Sequence, residues 1–336
     1  MTEATYVVGI DVAKRKLDIA LLVNGKIKTK VVDNTPAGHA LLQGWLVERG
    51  APLSDTHICL EATGPYSETV ATVLVEAGWP VSVVNPARIK GFAQGELARH
   101  KTDRADAALL ARFCAAMHPS IWAPPPPAWR ELRAWVDRLQ ALKDMHQQES
   151  NRREAHQAAG QLALVATVQT HLDWLAQQMA DLERTITDHI DRHPDLKGDA
   201  ELLSSIPGLG PTTVAKVLAY AGDVRRFANA KALAAFIGVT PRQRVSGSSV
   251  KGRTMMSRTG HAALRRALYM PGLVARRHNP VLREFGDRLR ATGLAPKAVV
   301  GAVMRKLAHL IYGVIKSGQV FDARLATPQL DFQDGI

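Results

Sequence analysis

Four consecutive prolines, Pro124 to Pro127, divide this chain into two stretches that obey different patterns. Each proline locks φ and lacks a backbone N–H, so neither a helix nor a central strand can run through the block. Before it, strand and helix signals alternate. Tyr6–Val12 is a buried-strand run that ends on Gly9-Ile10-Asp11-Val12, and Leu17–Val23 and Ile27–Val32 follow as strands around the turn Asn24-Gly25. A helix is expected over Ala37–Arg49, a strand over His57–Glu61 and a helix from Gly64-Pro65 to about Ala77. Val81–Val84 is the fifth strand, stopped by Asn85-Pro86, and helical patterns cover Ala87–Leu97 and Asp103–Met117. After the prolines the pattern is helical. Trp129–Arg153 reads as one helix, and Leu172, Leu175, Met179, Leu182, Ile186 and Ile190 step by three and four along another. Gly160 marks the bend between them.

Three strands in succession, then helix, strand, helix, strand and helices, is the order of a ribonuclease-H-like α/β domain. Its first strands form an antiparallel meander, and its later crossovers give parallel strands. The apolar seam of the second long helix suits coiled-coil packing, either against the first helix or against a second copy of the chain. Leu202–Thr213 then holds Pro207-Gly208-Leu209-Gly210-Pro211 between two helical runs. This is the pattern of a helix-hairpin-helix unit, where backbone N–H groups at Gly208 and Gly210 face a phosphate. The expected division is an α/β domain over 1–122 and a proline linker with helical, coiled-coil-like region over 123–195. A mostly helical domain over 196–320 and a tail over 321–336 complete it.

Charge is distributed unevenly. The net charge is +12, yet residues 1–122 hold 13 Lys/Arg against 12 Asp/Glu, whereas residues 241–316 hold 16 against 2. A block that cationic is expected to meet a polyanion. Within it, Thr240–Gly252 reads as a glycine-hinged loop rich in hydroxyls. Ser246, Ser248 and Ser249 lie there among Arg242, Arg244, Lys251 and, just beyond, Arg253. A serine hydroxyl attacks only where neighbours lower the cost of its alkoxide, and arginines neutralise charge developing on a phosphate. Phosphate contacts are expected from the four basic residues. Arg305 and Lys306 are further candidates for nucleic-acid contacts, and one of Arg265 and Arg266 could serve the core. His261 reads more readily as a capping or packing residue than as a proton shuttle.

A second constellation is acidic. Asp11 ends the first strand and Glu61 the fourth, and these strands are neighbours in a ribonuclease-H-like sheet. Asp103 and Asp106 lie one turn apart at the start of a helix. Four carboxylates repel one another unless a cation joins them, and oxygen-only ligation suits Mg²⁺ or Mn²⁺. Cys59 and Cys114 sit in apolar runs without metal-like spacing and are expected as reduced core residues. No uninterrupted apolar run of about 18–20 residues and no leader are evident, so a cytoplasmic protein with no membrane partner is expected.

Taken together, these motifs resemble the insertion-sequence one-ten family of transposases, which includes bridge-RNA-guided recombinases and relatives of pilin-gene invertases. The resemblance rests on Gly9-Ile10-Asp11, Glu61-Ala62-Thr63-Gly64, Asn85-Pro86, Lys101-Thr102-Asp103 with Asp106, and Ile206–Gly210. It extends through Gly238-Val239-Thr240-Pro241, Ser246-Gly247-Ser248-Ser249 and Gly260–Tyr269. It implies a RuvC-like domain related to Holliday-junction resolvases, in which Asp11, Glu61, Asp103 and Asp106 ligate Mg²⁺. It also implies that Ser246 is the nucleophile, forming a covalent phosphoserine link to DNA. The two sites would act as one composite site in a homo-oligomer, a dimer or tetramer, on donor and target DNA chosen by a bridge RNA. Two other readings compete. One is a RuvC-like nuclease or resolvase in which metal activates water and Ser246 only binds phosphate; the other is a non-enzymatic DNA-binding architectural protein.

Overall fold

A computed structural model describes residues 4–96, 102–246 and 250–326, with backbone alone for 243–246 and 250–254. The chain divides into two compact units, residues 1–124 and 125–336.

The first unit is a five-stranded mixed sheet between two layers of helices. Its strands are β1 (Tyr6–Val12), β2 (Lys16–Val23), β3 (Lys26–Asp33), β4 (Thr56–Glu61) and β5 (Val81–Val84). They lie in the order β3-β2-β1-β4-β5. The β1–β2 and β2–β3 pairs are antiparallel, and the β1–β4 and β4–β5 pairs are parallel. Both faces of the central strands are apolar because both are covered. Val8, Ile10, Ile19, Ile58 and Leu60 pack against Leu42, Leu46, Val70 and Leu74 of helices α1 (Pro36–Glu48) and α2 (Pro65–Glu76). Val7, Cys59 and Val84 face α3 (Pro86–Gly95) and α4 (Asp103–Met117), meeting Ile89, Leu110 and Phe113. Both cysteines are free and buried there. Thr102 starts α4, its hydroxyl accepting from the Ala105 amide at 3.2 Å.

Gly9 allows α4 to settle on the sheet. A Cβ at this position would overlap the Ala107 carbonyl oxygen and the Ala111 amide nitrogen, and would stand 2.9 Å from Leu110 Cβ. The helix backbone therefore rests directly on β1, and its first turn is held above the C-terminal end of that strand.

The second unit is mostly helical. Helices α5 (Pro127–Ala158) and α6 (Leu162–Arg192) form a long antiparallel hairpin around Gly160, whose φ is +71°. Leu139 and Leu142 of α5 share a core with Leu175, Leu182 and Ile186 of α6, and Lys143 pairs with Glu183 at 2.7 Å. The apolar seam read from the sequence is thus spent, over these residues, on packing within one chain. Helices α7 (Pro194–Ser204), α8 (Pro211–Ala221) and α9 (Ala230–Ile237) lead to a two-stranded ribbon of β6 (Pro241–Ser246) and β7 (Val250–Met256). Helices α10 (Ala262–Ala267), α11 (Tyr269–His278), α12 (Pro280–Ala291) and α13 (Pro296–Ser317) follow, then a short turn, α14 (Ala323–Ala326). One core runs from Trp129 to Ile315. By length and composition α13 could cross a membrane, but two thirds of its apolar window is buried, including Val303, Leu307 and Ile311. Its hydrophobicity is that of a central core helix.

Candidate active site

The acidic constellation assembles on the α4 face of the sheet. Asp11 lies directly across from Asp18 in the antiparallel β1–β2 register. In the parallel β1–β4 pair, Ile10 lies beside Leu60, so Asp11 and Glu61 come next in register. Side chains in register share a face, so Asp18, Asp11 and Glu61 form a row across three adjacent strands. The first turns of α4 add Asp103 and Asp106. Crowding shows in the protonation of Asp11, whose carboxyl is pushed up to about 6. Burial contributes most, followed by the charges of Asp106, Asp103, Asp18 and Glu61 in that order.

Glu61, Asp103 and Asp106 therefore all lie within electrostatic reach of Asp11, and two residues that the sequence reading missed join them. Asp18 is buried, with 6% of its surface exposed. Lys16, two residues earlier on the same face, sits 3.0 Å from Asp18 and 2.7 Å from Asp103. Its ammonium holds the Asp103 carboxyl below its ordinary range, and both carboxylates raise Lys16 above its own. A legible signal existed: Asp11 and Asp18 lie equally far from the centre of the turn between two strands, which places them opposite each other in a hairpin.

The donor set is all carboxylate, which suits a hard divalent cation. Among the described residues, however, no three acidic, histidine or cysteine side chains converge closely enough to hold an ion as they stand. Lys16 is the cation that engages Asp103 instead. The residues fit a metal on condition that Asp103 releases Lys16 to join Asp11, Asp106 and Glu61.

The serine segment is a ribbon rather than the loop expected. Strands β6 and β7 pair antiparallel, with Arg244 opposite Gly252, Val245 opposite Lys251 and Ser246 opposite Val250, and with an irregularity between Arg242 and Arg244. β-Branched Val245, Val250 and Thr254 favour the extended backbone, a local preference that outweighs the Gly/Ser content. Ser246 is the last residue of β6. Gly247, Ser248 and Ser249 lie outside the described residues, as do the side chains of Arg244, Ser246, Lys251 and Arg253.

The ribbon's root is fastened firmly. The Ser257 amide donates to the Thr240 carbonyl at 2.8 Å, and the His261 amide to the Phe236 carbonyl at 2.7 Å. Arg265 donates to the carbonyls of Ile237 and Arg258 at 3.4 and 2.9 Å, joining the end of α9 to the segment after β7. Gly238 ends α9 in the left-handed region, and a Cβ there would meet Arg265 Nη1 at 2.6 Å. His261 caps α10, Nδ1 accepting from the Leu264 amide at 3.2 Å, with its ring against Tyr220 and Phe236. Burial and then Arg133 hold its imidazole below the usual range.

Other expected contacts fare differently. Gly208 turns onto α11, where a Cβ would stand 2.6 Å from the Ala275 Cβ, whereas Gly210 is exposed at the start of α8. Lys306 is buried, its ammonium 5.2 Å from the centre of the Phe285 ring, so it is a core residue and not a surface contact as expected. Arg242 is exposed on β6.

A row of carboxylates in one unit, and a serine among basic residues in the sequence of the other, are residue types that phosphodiester chemistry uses. Sequence comparison gives that class a firm identity. Residues 200–287 match the family described as "Transposase IS116/IS110/IS902 family", and residues 8–157 match a transposase profile of the IS110 DEDD type. A pilin gene-inverting protein of Moraxella lacunata is 31% identical over 322 residues, covering 96% of this chain and 98% of its relative. The insertion element IS110 43.6 kDa protein of Streptomyces coelicolor is 26% identical over 162 residues, 48% of this chain and 39% of that protein. The transposase for insertion sequence element IS1111A of Coxiella burnetii is 33% identical over 98 residues, 24% of this chain and 27% of that one. The chain belongs to the IS116/IS110/IS902 transposase family, and it is a DNA transposase/recombinase enzyme.

Proposed function

We propose that this recombinase excises and inserts an insertion sequence through a covalent phosphoserine link made by Ser246. The observation that carries the reading is Ser246 at the end of β6 within the cationic block, together with the carboxylate row around Asp11, in a chain whose family is a transposase family. Strand order and the antiparallel meander followed by two parallel strands support a RuvC-like, ribonuclease-H-type first domain. Asp11, Glu61, Asp103 and Asp106 are the residues to hold Mg²⁺, with Mn²⁺ an alternative. A bound cation would supply Lewis-acid stabilisation of charge on the phosphate oxygens. The helix-hairpin-helix turn at Gly208–Gly210 and the basic residues Arg242, Arg244, Lys251 and Arg253 serve the DNA backbone in this reading.

In the chemical step the Ser246 hydroxyl oxygen bonds to phosphorus, and the bond from phosphorus to one deoxyribose oxygen breaks. The serine proton ends on the departing oxygen, and the phosphoserine bond keeps the energy needed for rejoining. Arginines beside the ribbon strand would neutralise the phosphate as charge develops. The charge map supports delegation of site choice to a bridge RNA paired with donor and target DNA. Sixteen cationic side chains in residues 241–316 favour backbone contacts over base reading. A homodimer or tetramer, cytoplasmic and without membrane contact, completes the reading.

The test is a trapping assay with Mg²⁺, labelled donor and target DNA, and RNA from the flank of the gene. A protein–DNA adduct that survives denaturation, disappears in Ser246→Ala and needs the RNA is expected. Cleavage without an adduct, persisting in Ser246→Ala, would replace this reading with a metal-dependent nuclease. The carboxylate row also favours that second reading, since a cation held there could activate water without any serine.

A further inference from the structure

At the root of the serine ribbon lies a cleft of about 370 Å³ that the phosphoserine chemistry does not use. Its floor is apolar, made by Met256 at the end of β7 and by Gly301 and Met304 of α13. Its rim carries Arg266 from α10, Tyr269 from the start of α11 and Lys297 from the first turn of α13. Arg266 and Lys297 are exposed, and Tyr269 is 44% exposed although it is a large ring. Among the described residues, no acid lines the cleft. The only carboxylates in residues 241–316 are Glu284 and Asp287, and Asp287 is engaged by Arg276 at 3.4 Å.

We infer that this cleft receives a single unpaired nucleotide of the DNA strand that the ribbon serine acts on. The inference thus rests on the proposed recombinase reading and names a second contact with the same substrate. A volume near the lower end of ligand pockets is enough for a base-sized group. Thioether sulfurs and an aromatic face are what an unstacked base finds in place of its neighbours. Two cations at the rim match the phosphates on either side of that base. Bases within a duplex are hidden by stacking, so the occupant is a single-stranded or extruded nucleotide.

Position strengthens the case. Met256 pairs with Pro241 at the ribbon's root, and the wall helix α10 is fastened there through Arg265. Five residue steps separate Pro241 from Ser246, about 17 Å at ~3.3 Å per residue. A stacked strand rises ~3.4 Å per nucleotide, so the occupant lies about five nucleotides from the phosphate under attack, or fewer if the strand is extended.

The test uses the full chain as Ser246→Ala, so that binding is read without chemistry, and measures anisotropy of a short labelled oligothymidylate. Tyr269→Ala is expected to weaken binding by about tenfold and Tyr269→Phe by less than about twofold, since a base stacks on either ring. Arg266→Gln and Lys297→Gln are each expected to reduce the salt slope by about 0.7. Duplex of equal length should respond little to Tyr269→Ala. An abasic nucleotide walked along the strand should weaken binding at one position, and that dip should vanish in Tyr269→Ala. Unchanged oligothymidylate binding by Tyr269→Ala with an unchanged melting temperature would overturn the inference. So would an equal loss on duplex, or an oligouridylate that binds more tightly and depends more on Tyr269, which would make the occupant RNA. Binding needs no serine, so a failed adduct assay with these effects intact removes the phosphoserine reading and leaves the cleft.

Discussion

The backbone of Ala107 lies on Gly9 with no room for a side chain between them, because a Cβ on Gly9 would fall inside the Ala107 carbonyl oxygen. This contact sets the height of α4 above β1 and so the distance from Asp103 and Asp106 to Asp11. Gly9→Ala must push α4 off the sheet. Overpacking of this kind costs about 1–3 kcal/mol, and backbone that cannot yield puts this site at the upper end. Urea unfolding should show that loss, and recombination should fall with it even where the variant remains folded.

Lys16 bridges Asp18 and Asp103, two carboxylates of the cluster beside Asp11. Lys16→Met leaves the carboxylate cluster without its internal counter-ion. Its melting temperature without divalent ions should drop by a few degrees, and its gain on adding Mg²⁺ should exceed that of the wild type. An equal gain in both proteins would mean that Lys16 and the metal do not compete.

Asp11 titrates near 6 in the folded protein against 3.8 for an ordinary aspartate. The folded state thus binds the extra proton, and ionising Asp11 lowers stability as pH rises through that interval. A shift of this size corresponds to about 3 kcal/mol if fully expressed. Asp11 is only half-buried, and solvent screening reduces the effect to about 1 kcal/mol. Asp11→Asn should therefore stabilise the metal-free protein by that amount at neutral pH and by little near pH 4, as measured by denaturant titration.

His261 shows the opposite sign. Burial depresses its folded value, while the unfolded chain takes up a proton near the ordinary 6.5. Its contribution is complete above that pH and is lost as pH falls through the lower folded value, and His39 and His57 push the same way. His261→Asn keeps a capping acceptor for α10. Its stability should decline less steeply than the wild type's between about pH 7 and 5.

Arg265 joins both ends of the serine ribbon to α10 through the Ile237 and Arg258 carbonyls. Arg265→Met leaves both carbonyls unmet and should cost about 1–2 kcal/mol. Limited proteolysis should reveal it first within 240–258, ahead of global unfolding.

Strand and helix periodicity, chain punctuation and charge placed nearly every element of the first unit. Strand β5 and helix α4 fall on the residues expected, Val81–Val84 and Asp103–Met117. Local signals were strong there: β-branched runs, the Asn85 and Thr102 caps, and prolines at helix starts. Asp11, Glu61, Asp103 and Asp106 were legible because each ends or begins such an element. What the sequence alone could not decide is what lies across from what. Asp18 was within reach of a hairpin reading, but Lys16 met Asp103 only because α4 packs on the sheet. Lys306 left the surface because α12 covers it, and the serine segment became a ribbon because α9 and Arg265 hold its ends together. Periodicity along a chain sets which faces are apolar; which faces meet depends on contacts between distant residues, and only the packed tertiary structure selects those.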